Sequence, residues 1–140
     1  MLPSTKTLTE TADQLLYENP ILIEKISNAL ECGADAVPSA LQEVVRFLYL
    51  AGTNDSGMLT PSHRVDLAWH EFILCTKAYC AFCKAICGRY IHHQPGGSNA
   101  ENRRQYKETI TQYERQFGTP DPNFWPTSGM QEKCGACETI

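Results

Sequence analysis

The stretch SNAENRRQYKETITQYERQFG, residues 98–118, decides the fold class. Ser98 followed by Glu101 is the signature of a capping box, in which two side chains satisfy backbone N–H groups at a helix start. Apolar and aromatic side chains then recur at helical spacing and would share one face: Tyr106, Ile110, Tyr113 and Phe117. Gly118 is typical of a helix end. The stretch therefore predicts an amphipathic α-helix that buries one face against other helices.

The remainder of the chain carries the same kind of signal. Helices are predicted over residues 7–18, from Asn19–Pro20 to Gly33, over 38–51, and from Thr60 to Cys87 with a break near Thr76. Three prolines, at positions 120, 122 and 126, prevent a helix after residue 118. We predict an all-α fold, a single compact bundle of five or six helices over residues 1–126 with an irregular Pro-rich C-terminal segment. Residues 127–140 are predicted to form a flexible tail.

Composition limits the classes of partner and cofactor. The chain has 140 residues, a formal net charge of −4 at pH 7 and no basic run, so nucleic acid is not expected as a partner. It has no Gly-rich phosphate loop, which argues against a nucleotide cofactor. The N-terminal residues lack the features of a signal peptide, and no apolar run reaches the roughly 18 residues of a membrane span. We therefore expect a cytoplasmic protein that does not bind membranes; the oligomeric state is left open.

Four residues form a candidate metal site. Asp66 and His70 are four positions apart, so a helix places both side chains on one face. This spacing suits two ligands of one metal ion, and it equally suits a local hydrogen bond between a carboxylate and an imidazole. His92 and His93 follow in a predicted loop, where neighbouring side chains diverge and one of the two would face a given site. The predicted ligand set is Asp66, His70, His92 and His93.

Five of the seven cysteines fall into two groups, and the other two, Cys32 and Cys75, are interpreted as small apolar core residues. Cys80, Cys83 and Cys87 lie along one face of a predicted helix and span roughly 10 Å, too far for one small ion, so core packing is favoured. Cys83 is retained as an additional ligand candidate. Cys134 and Cys137 form a C-x-x-C pair in the polar tail, where neither sulfur is needed for packing. That pair could supply extra metal ligands or cycle as a disulfide.

Several short motifs resemble one protein family. VDLAWHEFIL at 65–74, YCAFC at 79–83, GRYIHHQPG at 88–96 and FWP at 124–126 look like the glycine-rich-domain-containing-protein-like family in its short bacterial form. The resemblance covers about residues 61–126. It implies a small helical domain without an established reaction, and it singles out these positions: Asp66, Trp69, His70, Tyr79, Cys83, Gly88, His92 and His93. A cysteine-containing tail is also similar to short members of that family.

Three functional hypotheses follow. The first is a small metal-binding protein, in which imidazole and thiolate ligands favour zinc, copper or iron over magnesium or calcium. The second is a non-enzymatic module that binds a protein partner, with the His and Asp residues in a structural hydrogen-bond network. The third and weaker hypothesis is a thiol redox role for the C-terminal cysteines. No pattern in the sequence identifies a reaction, so enzymatic activity is left open.

Overall fold

The computed structural model describes residues 5–54, 57–94 and 96–127. Six α-helices follow one another in these ranges: α1 Thr5–Glu18, α2 Ile21–Leu30, α3 Val37–Thr53, α4 His63–Leu74, α5 Thr76–Phe82 and α6 Asn99–Phe117. A short 3₁₀ turn, Ala34–Ala36, precedes α3, and a π-helical turn, Cys83–Cys87, continues α5. The predicted all-α bundle is confirmed. Within the described ranges, no helix combines the length and apolar character needed to cross a membrane.

Helix α3 forms the centre of the bundle. It packs against α1, α4 and α6, while α2 packs mainly against α4. A helix that is apolar on most of its circumference belongs inside a domain, and α3 buries ten side chains: Val37, Ala40, Leu41, Glu43, Val44, Val45, Phe47, Leu48, Tyr49 and Leu50. Glu43 is the one acidic residue among them. The core thus encloses a carboxylate that needs donors from other elements.

Helix α4 begins later than predicted. Its N-cap is Ser62, whose hydroxyl accepts a hydrogen bond from the backbone N–H of Val65 at 3.1 Å. Thr60, the expected start, is instead tied to α6: its N–H donates to the Thr109 hydroxyl at 3.1 Å, and that hydroxyl donates to the Thr60 carbonyl at 2.9 Å. These two bonds hold the segment before α4 against α6, so the helix starts after the segment leaves that contact.

The break between α4 and α5 lies at Cys75, one residue before the predicted position. Its backbone angles, φ −85° and ψ 70°, fall outside the helical region. The helix that follows ends as a π-turn that closes at Gly88, whose φ of 77° suits glycine. This turn approaches α3 closely at Gly52, where a Cβ atom would lie 2.6 Å from the Cβ of Cys87. Glycine at position 52 therefore allows the π-turn to pack on α3.

The Pro-rich C-terminal segment folds back onto the bundle. Phe124 and Trp125 are buried, and the Trp125 indole N–H donates to the Glu43 carboxylate at 2.8 Å. The Tyr106 hydroxyl of α6 donates to the Pro126 carbonyl at 2.6 Å. Most of the predicted tail, including Cys134 and Cys137, lies outside the described residues. The proposed domain boundary and the role of the C-x-x-C pair therefore remain predictions.

Candidate metal centre

Three side chains from two parts of the chain converge beside α4. The Asp66 Oδ1 atom lies 2.7 Å from the His93 Nε2 atom, and the His70 Nε2 atom lies 2.8 Å from the same nitrogen. The His70 Nε2 atom is 3.6 Å from the Asp66 Oδ2 atom. One ligating atom from each residue lies within 4.8 Å of the other two. This group, called the Asp66 cluster below, offers two imidazole nitrogens and one carboxylate to a single point.

Helix α4 supplies two members of the cluster. The Ser62 cap fixes the start of the helix, and the i, i+4 spacing then brings Asp66 and His70 to one side, one turn apart. Asp66 is 12% exposed at its side chain, whereas His70 is 52% exposed. The cluster therefore has a buried carboxylate and a solvent-accessible edge.

His93 is held by a buried hydrogen-bond chain beneath it. The Trp69 indole N–H donates to the Tyr79 hydroxyl at 3.1 Å, and that hydroxyl donates to the Ile91 carbonyl. Burial raises the pKa of Tyr79 far above its ordinary value, so the hydroxyl keeps the proton that it donates. The His93 ring packs on Trp69 with 4.5 Å between ring centroids. These hydrogen bonds, from Trp69 in α4 through Tyr79 in α5, thus fix the loop that carries His93.

Asp66 and His70 do not occupy the two ends of a proton relay across the His93 ring. In such a relay a carboxylate contacts one ring nitrogen and the reacting group contacts the other. Here Asp66 and His70 both contact Nε2 of His93. A neutral imidazole has either one proton or one lone pair at that atom, so it cannot make a linear hydrogen bond to both neighbours at once. A cation at the shared point would accept a lone pair from all three.

Two further predicted ligands lie apart from this group. His92 is exposed, and its ring contacts Tyr90 with 4.7 Å between centroids, because adjacent side chains of the extended segment point in different directions. Cys83 is fully buried in the hydrophobic core. Burial raises the pKa of the Cys83 thiol, which disfavours the thiolate that a metal would need. Neither residue belongs to the Asp66 cluster.

Three of the other described cysteines behave as packing residues. Cys32, Cys75 and Cys87 are partly buried against the core, and Cys87 donates from its thiol to the Leu48 carbonyl at 3.4 Å. Burial raises the pKa of Cys87 to about 12. Of the three helical cysteines predicted to fill space, Cys83 and Cys87 pack in or against the core, whereas Cys80 is partly exposed and is not among the residues packed on it.

A cleft of about 530 Å³ opens beside the cluster, lined by Asp66 and His93 among others. Arg89 and Asn102 are two of the lining residues that were not identified as site residues from the sequence. Asn102 is 3% exposed and lies four positions before Tyr106, on the same face of α6 as the predicted apolar stripe. Its position as a polar residue on the predicted buried face of α6 could have identified it as a candidate site residue. Arg89, an isolated cation in a loop, had no such signal.

Comparison with known proteins identifies the family of the chain. A family model described as UCP032817-like, an uncharacterised family, matches residues 19–116. The matched range contains α2 to α5, nearly all of α6, and the whole Asp66 cluster. No curated protein and no solved structure matches the chain.

The resemblance to the glycine-rich-domain-containing-protein-like family is therefore wrong. It depended on short motifs such as D-x-x-W-H and I-H-H, which fix few positions and which a helical protein of another family can share. The matching family model, in contrast, extends over more than two thirds of the sequence. On that match, the chain belongs to the UCP032817-like family.

Proposed function

We propose that this small helical protein binds one transition-metal ion at Asp66, His70 and His93. The convergence of the three ligating atoms within 4.8 Å of one another carries the proposal. Two of these residues come from one helix and the third from a loop fixed by Tyr79, so the arrangement is held by the fold on both sides. The candidate ions are zinc, iron and copper.

The distances between the ligating atoms suit a shared ion. Zinc binds nitrogen and oxygen ligands at about 2.0–2.1 Å, which places neighbouring ligand atoms about 2.9–3.4 Å apart for right-angled or tetrahedral geometry. The Asp66 Oδ1 and His93 Nε2 atoms are 2.7 Å apart, the two histidine Nε2 atoms are 2.8 Å apart, and the His70 Nε2 atom is 3.6 Å from the other carboxylate oxygen, Oδ2 of Asp66. Binding of an ion would lengthen the first two separations by a few tenths of an ångström, which requires small shifts of the half-exposed His70 and of the Asp66 or His93 side chain.

The ligand set leaves coordination positions for another molecule. Two imidazoles and one carboxylate are the ligands of catalytic zinc sites and of non-haem iron sites with open positions. An ion with three protein ligands can take up water or an oxygen atom of a substrate, and it would then polarise that group as a Lewis acid. The proposal is metal binding with an open position, and it names no particular reaction.

The competing function is a structural hydrogen-bond network in a protein-interaction module. The direct contact of 2.7 Å between Asp66 and His93 favours it, because a neutral His93 with its proton on Nε2 makes this bond without any metal. In that case His70 would be a surface neighbour. The two functions differ in what each histidine does when it is removed.

Elemental analysis of full-length protein without an affinity tag tests the proposal, with His93→Ala as the variant. His92→Ala is the matched control, since it makes the same chemical change one residue away and outside the cluster. A Cys134→Ser/Cys137→Ser variant is analysed in parallel to remove any metal held by the tail. We expect near-stoichiometric metal in the wild type, in the His92→Ala control and in the tail variant, and little in His93→Ala.

Equal metal content in His93→Ala and His92→Ala would overturn the proposal and favour the hydrogen-bond network. Metal lost only in the tail variant would also overturn it, by assigning the bound ion to Cys134 and Cys137.

A further inference from the structure

The cleft beside the Asp66 cluster has the size of a small-molecule site. Its volume of about 530 Å³ lies within the range of about 300–1,000 Å³ found for ligand pockets. Asp66 and His93 face it, whereas His70 is not part of its lining. A molecule in the cleft would therefore approach the cluster from the side opposite the exposed imidazole.

Most of the cleft wall is apolar. Phe47 from α3 and Trp69 from α4 form part of it, with 5.4 Å between their ring centroids. Leu59 and Ile91 add aliphatic surface, and Met58 is 53% exposed. Apolar surface interspersed with polar side chains such as Arg89 and Asn102 suits an organic molecule that carries a polar group.

Arg89 gives the cleft a positive charge without a counter-ion. Its guanidinium donates one hydrogen bond, from Nη2 to the Ala51 carbonyl at 3.3 Å. Within residues 5–54, 57–94 and 96–127, no carboxylate lies within 4.0 Å of it. The other acidic residue of the lining, Glu101, is engaged in the capping box of α6. Arg89 therefore keeps most of its donors for an anion.

Asn102 adds a buried donor that lacks an acceptor. Its Nδ2 atom is buried and has no hydrogen-bond partner among the described residues. Its Oδ1 atom lies close to Gly97, where a Cβ atom would approach it to 3.1 Å. An amide that is buried without a hydrogen-bond partner reduces stability. A ligand oxygen atom that reached the Asn102 Nδ2 atom would supply the missing acceptor.

We propose that the cleft binds a small organic carboxylate with an apolar body. Its carboxylate pairs with Arg89, its body packs on Phe47, Trp69 and Ile91, and its oxygen atoms supply the acceptor that Asn102 lacks. The role of this molecule as a substrate for the metal rests on the proposed function above. Its binding to the cleft does not, because Arg89 and Asn102 belong to the protein with or without an ion.

Two carboxylates and their neutral counterparts test the proposal on the full chain after removal of metals by a chelator. Benzoate is compared with benzyl alcohol, and hexanoate with hexanol, by chemical-shift changes in ¹⁵N-labelled protein. We expect saturable shifts for at least one carboxylate at Ile91, His93 and the Asn102 side-chain amide. Arg89→Gln should weaken carboxylate binding at least about fivefold, as for the loss of a charge-assisted hydrogen bond, and leave binding of the alcohol unchanged.

Arg103→Gln is the matched control, because Arg103 is an exposed arginine of α6 that does not line the cleft. Equal effects of Arg89→Gln and Arg103→Gln would overturn the proposal. So would equal affinity for each acid and its alcohol, or shifts confined to residues outside the cleft. Metal content is measured on the wild-type and Arg89→Gln proteins as purified, before the chelator is added. Loss of carboxylate binding in an Arg89→Gln protein that retains its metal supports the cleft proposal without bearing on the metal site. Carboxylate binding by a wild-type protein that is purified without metal overturns only the proposed function.

Discussion

Two clusters in this protein are built around a carboxylate, and they treat it in opposite ways. In the core, Glu43 is 5% exposed and its Oε1 atom accepts hydrogen bonds from the Tyr113 hydroxyl at 2.6 Å and the Trp125 indole at 2.8 Å. Arg46 lies 3.6 Å from the Glu43 Oε2 atom and donates to the Tyr113 oxygen at 2.7 Å. In the Asp66 cluster, the carboxylate contacts the His93 imidazole at 2.7 Å, and the His70 imidazole beside it is half-exposed to solvent.

The difference separates a structural cluster from a candidate functional one. The Glu43 carboxylate has two hydrogen-bond donors and a cation, so the Glu43 cluster joins α3, α6 and the C-terminal segment through contacts within the protein. In the Asp66 cluster the Nε2 atom of His93 can make a hydrogen bond to Asp66 or to His70, and one atom cannot donate to both. Because His70 is 52% exposed, the Asp66 cluster is open to a ligand from outside, whereas the Glu43 cluster is enclosed in the core.

Removal of the carboxylate should have its largest effect in the Glu43 cluster. Glu43→Ala leaves Tyr113, Trp125 and Arg46 without their shared acceptor, and we expect a loss of about 3–5 kcal/mol in the free energy of unfolding. Urea unfolding measures it, with Glu114→Ala on the exposed face of α6 as the control, expected within about 0.5 kcal/mol of the wild type. Equal losses in the two variants would contradict the structural role of Glu43.

In the Asp66 cluster, removal of the carboxylate should affect stability mainly when zinc is present. Zinc at a hundred times its dissociation constant stabilises the native state by about 2.7 kcal/mol. We expect this gain in the wild type and in His92→Ala, and its loss in Asp66→Asn, measured by thermal unfolding with and without zinc. Without zinc, Asp66→Asn should unfold close to the wild type. A strongly destabilised metal-free Asp66→Asn would make the two clusters alike and favour the hydrogen-bond network.

Tyr79 is a buried structural residue that holds the loop of His93, one of the proposed metal ligands. Tyr79→Phe removes the hydroxyl between Trp69 and the Ile91 carbonyl, and the unpaired groups should cost about 2 kcal/mol of stability. The loop that carries His93 would lose its anchor, so zinc affinity should fall as well. Isothermal titration of folded protein measures this. Unchanged zinc affinity in a folded Tyr79→Phe protein would show that the anchor does not position His93.

Alkaline pH should weaken the core cluster. Burial, and then Glu43, raise the pKa of Tyr113 above its ordinary value of 10.0. Above about pH 10 an unfolded chain releases this proton while the folded protein keeps it, so the free energy of unfolding falls as pH rises. Below pH 10 the contribution is fully present. The slope from this residue is about 1.4 kcal/mol per pH unit, and Tyr113→Phe should reduce it in urea unfolding between pH 9 and 11. An identical slope in both proteins would contradict the assignment.

The helices were accessible from the sequence because they depend on neighbours a few residues apart. The capping box of Ser98 and Glu101 and the stripe from Tyr106 to Phe117 are local, and both are present. The pairing of Asp66 with His70 is local for the same reason. The start of α4 was misplaced because contacts of Thr60 with Thr109, 49 residues away, keep that residue out of the helix.

The rest of the candidate site depends on contacts across the fold. Which of His92 and His93 faces Asp66 is set by the anchoring of Ile91 to Tyr79, which no spacing in the sequence reveals. The partners of Glu43 lie 70 and 82 residues away. Glu43 was not identified from the sequence; an acidic residue in an otherwise apolar helix was the one sign that it needs hydrogen-bond donors.

The distance along the chain between Glu43 and Trp125 also bears on how the protein is made. A ribosome releases α3 early, but the indole that bonds its carboxylate is 82 residues further on. During synthesis the nascent helices therefore hold an acidic side chain without its final partner until Trp125 has emerged. Contacts of such separation slow folding, and Phe124 and Trp125 complete this part of the core. Shortened chains that end before Trp125 should accumulate as partly folded species that chaperones and proteases recognise.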